Sequence, residues 1–146
     1  MIEVSDSILI DRPVDVVFDY VADQTHAPDW QDGLIEVRRT TDGPIGVGTT
    51  HMAVRTFLGR RLELTNEYVR FEPGREVAFT AATGPSHMEV SYRTEPEAGG
   101  TRLSCEMRME QKGLFKLADP LVARSLRRDF ASNFANLKAL LEGVVE

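Results

Sequence analysis

Residues 119–143 read DPLVARSLRRDFASNFANLKALLEG, and this stretch predicts the element around which the rest of the chain is arranged. Asp119 is a good N-cap, and Pro120 suits the first helical position, where its missing N–H would find no partner anyway. Winding the chain at about 100° per residue puts Val122, Leu126, Phe130, Phe134, Leu137, Leu140 and Leu141 on one broad face. Arg124, Arg127, Arg128, Ala131, Ala135 and Lys138 fall on the opposite face, and Gly143 supplies a C-terminal stop. With its lead-in, this organising segment runs from Gly113 to Val144. An apolar stripe about six turns long must cover something large.

What it covers is written upstream in alternating residues. Ile2, Val4, Ile8 and Ile10 share one face of a first strand, which Asp6 interrupts and Asp11-Arg12-Pro13 closes. Pro13 opens a short helix through Val14, Val17, Phe18 and Val21. A second short helix or turn is expected over Ala27 to Asp32, started by Pro28 and anchored by Trp30. Strands then follow one another with turn signals between them. Ile35 and Val37 share a face, Asp42-Gly43-Pro44 and Gly46-Val47-Gly48 form a loop, and Thr49 to Leu58 turns at Gly59-Arg60 into Arg61 to Phe71. Pro73-Gly74, Gly84-Pro85 and Ala98-Gly99-Gly100 separate the last three strands. Their inward residues are Val77 and Phe79, then Met88, Val90 and Tyr92, then Leu103, Cys105, Met107 and Met109. Short connections make an antiparallel meander the economical topology. The fold class is α+β: a curved antiparallel sheet of about seven strands wrapped around the long C-terminal helix, with two short helices after the first strand.

Composition narrows the function classes. With 146 residues the chain suits one domain, 1–146, and can bury a core without covalent staples. The net charge of −6 argues against non-specific attraction to nucleic acid or an anionic membrane. Arg124, Arg127 and Arg128 read as the solvated side of the helix. A single cysteine excludes an internal disulfide, and no apolar run is long enough to span a bilayer. The expectation is a cytoplasmic protein without stable membrane insertion and without a nucleic-acid partner, compatible with a monomer or a homodimer.

The element order and three stretches resemble the helix-grip fold of the START-like, or SRPBCC, superfamily, in its polyketide cyclase/dehydrase and lipid-transport branch. The stretches are IDRPVDVVFDYVAD at 10–23 with Pro28-Asp29-Trp30, EYVRFEPGREVAF at 67–79, and KGLFKLADPL at 112–121 continuing to NLKALLE at 136–142. The resemblance implies an elongated cavity between sheet and helix that holds an apolar or amphipathic small molecule. The superfamily includes lipid carriers, hormone-binding proteins and aromatic polyketide cyclases, and the fold does not choose among them.

No motif announces catalysis or a metal. His26, His51 and His87 are far apart in sequence and have no partner at ligand spacing. Gly46-Val47-Gly48 lacks the strand-to-helix setting of a dinucleotide loop, so neither metal nor cofactor is expected. Cys105 reads as a small hydrophobe among Leu103 and Met107. Met52, Met88, Met107 and Met109 gather on the concave side, either as core filling or as an adaptable lining for a flexible ligand. Asn133 is the most informative polar residue, because its direction falls inside the apolar stripe. A buried amide must find partners or cost about 1–3 kcal/mol, so it either bonds a neighbouring protein group or faces a wet cavity. Asp129 borders the same stripe four residues earlier, as a partly exposed carboxylate or as an acid or base in the pocket. Asp6 could pair with an arginine such as Arg55.

The preferred expectation is a binding protein whose cavity is lined by Met52, Val54, Phe79, Met88, Val90, Cys105, Met107, Leu126 and Phe130. Asn66, Tyr92, Asp129 and Asn133 would orient the ligand. A cyclase or dehydratase acting on a poly-β-ketone is the alternative, with Tyr92, Asp129 and His51 as the weak candidates for moving a proton. A third class acts through its surface and needs no cavity. An exposed apolar patch over a collapsed interior would mark it.

Overall fold

In the computed structural model the described residues are 1–57, 59–83 and 86–143, apart from the side chains of Phe57, Thr83 and Phe115. The expected Gly84-Pro85 turn and the end of the last segment at Val144 lie outside them. The chain runs β1 (Ile2–Ile10), α1 (Val14–Ala22), a 3₁₀ helix (Gln24–Asp29), then β2 (Leu34–Arg39) and β3 (Thr50–Phe57). β4 (Arg60–Glu72), β5 (Glu76–Thr83), β6 (Ser86–Glu97) and β7 (Gly100–Gln111) follow. A second 3₁₀ helix (Gly113–Ala118) leads into α2 (Asp119–Leu141). The seven strands form one antiparallel sheet in the order β1-β7-β6-β5-β4-β3-β2. This is the expected meander, with β1 returned to the edge beside β7.

Two irregularities bend the sheet, one in β2 between Leu34 and Glu36 and one in β4 between Tyr68 and Arg70. A bulge of this kind increases local twist and moves the following side chains to the other face. In β2 it corrects the expected pairing of faces: Ile35 is exposed, whereas Leu34 and Val37 turn inward. In β3 the inward residues are Ala53 and Arg55, opposite Leu64 and Leu62 of β4.

Helix α2 joins the cluster of Ile10, Val17, Val21 and Leu103 along its length, with Val122, Ala123 and Leu126 from its N-terminal half and Phe134 and Leu137 from its C-terminal half. Polar groups fasten that half from two sides. On one, Ser132 Oγ donates to the Asp32 carboxylate at 2.8 Å, and Asn136 Nδ2 donates to the Trp30 carbonyl at 3.2 Å. On the other, Lys138 Nζ donates to the Leu9 carbonyl at 2.7 Å, and the Glu142 carboxylate accepts from the Asp11 N–H at 2.9 Å. A second apolar cluster, Phe18, Ala22, Tyr68 and Val77, fixes α1 to the sheet, and the Tyr68 hydroxyl donates to the Ala22 carbonyl at 2.5 Å.

Several local expectations are modified. Asp119 begins α2 without capping it; its carboxylate instead accepts from Gln111 Nε2 at 3.0 Å and faces the N-terminal ammonium at 3.8 Å. Pro120 does occupy the first turn. Leu140, placed on the covered face by the helical winding, is exposed, whereas its neighbour Leu141 packs against the core. The first 3₁₀ helix starts at Gln24, not at Pro28, because the Asp23 carboxylate accepts from the Thr25 N–H at 3.0 Å and caps it there.

The β6–β7 hairpin contains the tightest backbone approach. A Cβ on Gly100 would lie 2.4 Å from the Ile10 carbonyl oxygen, so only glycine lets β7 start beside the end of β1. Gly100→Ala is therefore expected to cost about 1–3 kcal/mol through forced separation of backbone from backbone. Urea unfolding that left the midpoint unchanged would show that this strand edge is free to move.

Candidate ligand cavity

Between the N-terminal half of α2 and the inner face of the sheet lies a cavity of about 510 Å³. Alternation on β5, β6 and β7 aims Phe79, Ala81, Met88, Val90, Met107 and Met109 into it. Val122, Leu126 and Phe130 line it from the helix, and Trp30 and Leu34 close it from the side. Ala118 and Arg60 are exposed and yet line it, so they mark an edge that reaches solvent.

The expected lining residues Asn66, Phe79, Met88, Val90, Tyr92, Cys105, Met107, Leu126, Asp129, Phe130 and Asn133 all border this space. Met52 and Val54 do not. Apolarity alone points them inward, but the register against β4 turns Ala53 and Arg55 to the cavity and those two to the other face. His51 has inward parity but lies beyond the cavity wall, fully buried and set against the Tyr68 ring at a centroid distance of 5.3 Å. The pairing of Asp6 with Arg55 is also absent, since Asp6 Oδ1 accepts the neighbouring Ser7 N–H at 2.8 Å.

Arg55 is the group that residue typing overlooked. It reaches the cavity from β3, and its buried Nε has no hydrogen-bond partner among the described residues. Burial pushes its guanidinium pKa down, and the nearby Asp129 carboxylate, with a smaller effect from Tyr92, opposes this. Arginine stays protonated in proteins, so the result is a cation held against an apolar wall. The signal was available in the hairpin. β3 and β4 are joined by a short turn, and placing Leu62, Leu64 and Asn66 inward puts Arg55 opposite Leu62.

The other polar groups divide into those with protein partners and those directed at the space. Asn66 is engaged with Gln24 in two amide hydrogen bonds, at 2.9 and 3.3 Å. Asn133 combines both readings of its buried amide: Oδ1 accepts the Asp32 N–H at 2.9 Å while the residue lines the cavity. Tyr92 sits across from Cys105 in the β6–β7 register. Burial, reinforced by that thiol, raises the Tyr92 pKa well above its ordinary value, so the phenol remains a donor. Burial also pushes the Cys105 thiol up, which keeps it neutral and unreactive. Among the described residues no cluster of His, Cys, Asp or Glu is arranged to hold a metal ion.

The family described as polyketide cyclase / dehydrase and lipid transport matches residues 1–142, and the chain belongs to it. No curated protein sequence matches the chain. Among solved structures, TTHA0849 from Thermus thermophilus superposes with a TM-score of 0.83 at 17% identity, covering 99% of each chain. The Zhui aromatase/cyclase from Streptomyces sp. R1128 superposes at 0.78 and 15% identity, covering 99% of this chain and 95% of that one. The di-domain aromatase/cyclase BexL of the BE-7585A biosynthetic pathway superposes at 0.78 and 21% identity, covering all of this chain (100%) and 48% of its own. The chain thus spans about half of that di-domain protein. At these identities the likeness establishes the helix-grip fold.

The buried imidazole carries a pH prediction. His51 has no hydrogen-bond partner for either ring nitrogen among the described residues. Burial lowers its pKa from the usual 6.5, Arg39 lowers it further, and the Asp23 carboxylate opposes this. The unfolded chain therefore binds the proton first, so stability is complete above about pH 6.5 and falls as the pH drops toward the folded value. The slope from this residue is at most about 1.4 kcal/mol per pH unit. Denaturation at a series of pH values should show a fall below pH 6.5 that is smaller in His51→Leu. Parallel curves for the two proteins would remove the assignment.

Proposed function

We propose that this member of the polyketide cyclase / dehydrase and lipid transport family binds an apolar small molecule carrying an anionic or strongly polarised oxygen. The observation that carries this reading is the Arg55 Nε, buried without a partner among the described residues at the wall of an otherwise mostly apolar cavity. An unpaired buried donor on a cation is costly, and a ligand oxygen removes that cost. Tyr92 and Asn133 line the same space and would orient the ligand. Met88, Met107 and Met109 suit a guest whose shape varies, because thioether chains repack easily.

A second reading, a cyclase- or dehydratase-like enzyme, draws on the meeting of Arg55 and Asp129 across this cavity and on the likeness to aromatase/cyclase structures. In it, Arg55 stabilises negative charge on a ketone oxygen while Asp129 takes the proton from the adjacent carbon. Asp129→Asn and Tyr92→Phe would then lower turnover of a poly-β-ketone while leaving its affinity nearly intact. Unchanged turnover in both variants excludes these assignments.

The binding reading is tested with two dyes of similar apolar body. The anionic 8-anilinonaphthalene-1-sulfonate is expected to bind more tightly than neutral N-phenyl-1-naphthylamine. Arg55→Met should weaken the anionic dye by about tenfold or more, the usual worth of a hydrogen bond to a charged group, and leave the neutral one nearly unchanged. Equal affinity of the two dyes, or indifference to Arg55→Met, contradicts the proposal.

A further inference from the structure

The rim of the cavity bears a surface that packing does not explain. Leu114 and Leu117 of the second 3₁₀ helix are 83% and 79% exposed, and Leu121 of α2 is 58% exposed. Residues three apart in a 3₁₀ helix eclipse one another, so Leu114 and Leu117 project together, and Leu121 follows one helical turn later. Ala118 lies between them, exposed and also part of the cavity lining. The leucine row therefore borders the solvent-reaching edge of the cavity.

Charge is distributed unevenly around this row. Residues 112–128 contain the cations Lys112, Lys116, Arg124, Arg127 and Arg128 and the single carboxylate Asp119, in a chain whose net charge is −6. All five cations are exposed, and none has an ion-pair partner among the described residues. Asp119 is already engaged by Gln111 and the N-terminal ammonium. The overall negative charge that disfavours an anionic surface is thus reversed locally along this segment.

We infer that the segment from Lys112 to Arg128 docks on an anionic lipid bilayer, with Leu114, Leu117 and Leu121 entering the interface and the cations meeting the headgroups. Exposed leucines beside unpaired lysines and arginines are the combination that such a surface recognises. A second copy of this chain fits less well, because a two-fold contact would set the cations of both copies against each other. The docking leaves the chain outside the bilayer core, and among the described residues no helix is long and apolar enough to cross it. The inference rests on the binding reading only for its purpose, which is to bring the cavity edge to the phase where apolar ligands reside.

Co-sedimentation of the full chain with vesicles tests this. The protein is expected to bind phosphatidylcholine vesicles that contain phosphatidylglycerol, to bind pure phosphatidylcholine weakly, and to dissociate as salt is raised. Lys112→Ala and Lys116→Ala should each weaken binding about fivefold. Leu114→Ser and Leu117→Ser should each weaken it by about tenfold. Absence of binding to the anionic vesicles, equal binding to both kinds, or indifference to all four substitutions overturns the inference. So does a dimer seen by sedimentation equilibrium that the leucine variants dissociate, since the row then serves a second copy. The anilinonaphthalene dye is measured in parallel without vesicles. Normal dye binding alongside failed docking sinks the docking alone, and docking without dye binding sinks the cavity reading alone.

Discussion

Trp30 stands between two surfaces that would otherwise close on each other. Its indole meets the Tyr92 ring edge-on at 6.3 Å on the sheet side and stacks with Phe134 at 6.5 Å on the helix side. The backbone around it is fixed at both ends, since its N–H donates to the Ala27 carbonyl at 3.1 Å and its carbonyl accepts from Asn136 at 3.2 Å. Trp30 is thus a wedge between sheet and helix at the cavity wall, while Val122, Leu126 and Phe130 line the space from α2. A space of about 510 Å³ whose edge reaches solvent must hold water or a guest, and water against an apolar wall is readily displaced by an apolar guest.

The wedge also decides which polar groups can act. It holds Tyr92 at the wall, where burial keeps the phenol protonated, and it leaves room between β3 and α2 in which Arg55 faces Asp129 without touching it. Other charges of the sheet pair on its outer face, as Arg102 does with Glu97 and Arg70 with Glu89. Such pairs contribute little to stability. Arg55, buried at the cavity wall, matters more, because low-dielectric surroundings strengthen whatever interaction it makes.

The fold was legible because its signals are periodic and redundant. The α2 stripe, the alternation of β7 and the chain of short turns each point to a sheet gripping a helix, and no single substitution would erase them. The site was legible where an element is regular, on α2 for Leu126, Asp129, Phe130 and Asn133 as well as on the regular strands. Met88, Val90, Tyr92, Cys105 and Met107 followed from alternation, whereas β3 is apolar on both faces, and hydrophobicity chose Met52 and Val54 over Ala53 and Arg55. The β2 bulge likewise exchanged Ile35 for Leu34, a one-residue shift that no composition records. Gln24, Trp30 and Gln31 reach the cavity through a loop path that depends on the Asp23 cap and on the hydrogen bonds from α2, which are tertiary facts.

The central claim is that a guest enters the space that Trp30 props open, and the chain's single tryptophan can report on it directly. Steady-state emission of Trp30 should be quenched, with energy transfer to an anilinonaphthalene acceptor, along a curve that saturates at one equivalent. A dye that binds while Trp30 emission stays unchanged, or a tryptophan that never responds to any apolar guest, would place binding elsewhere and contradict the account.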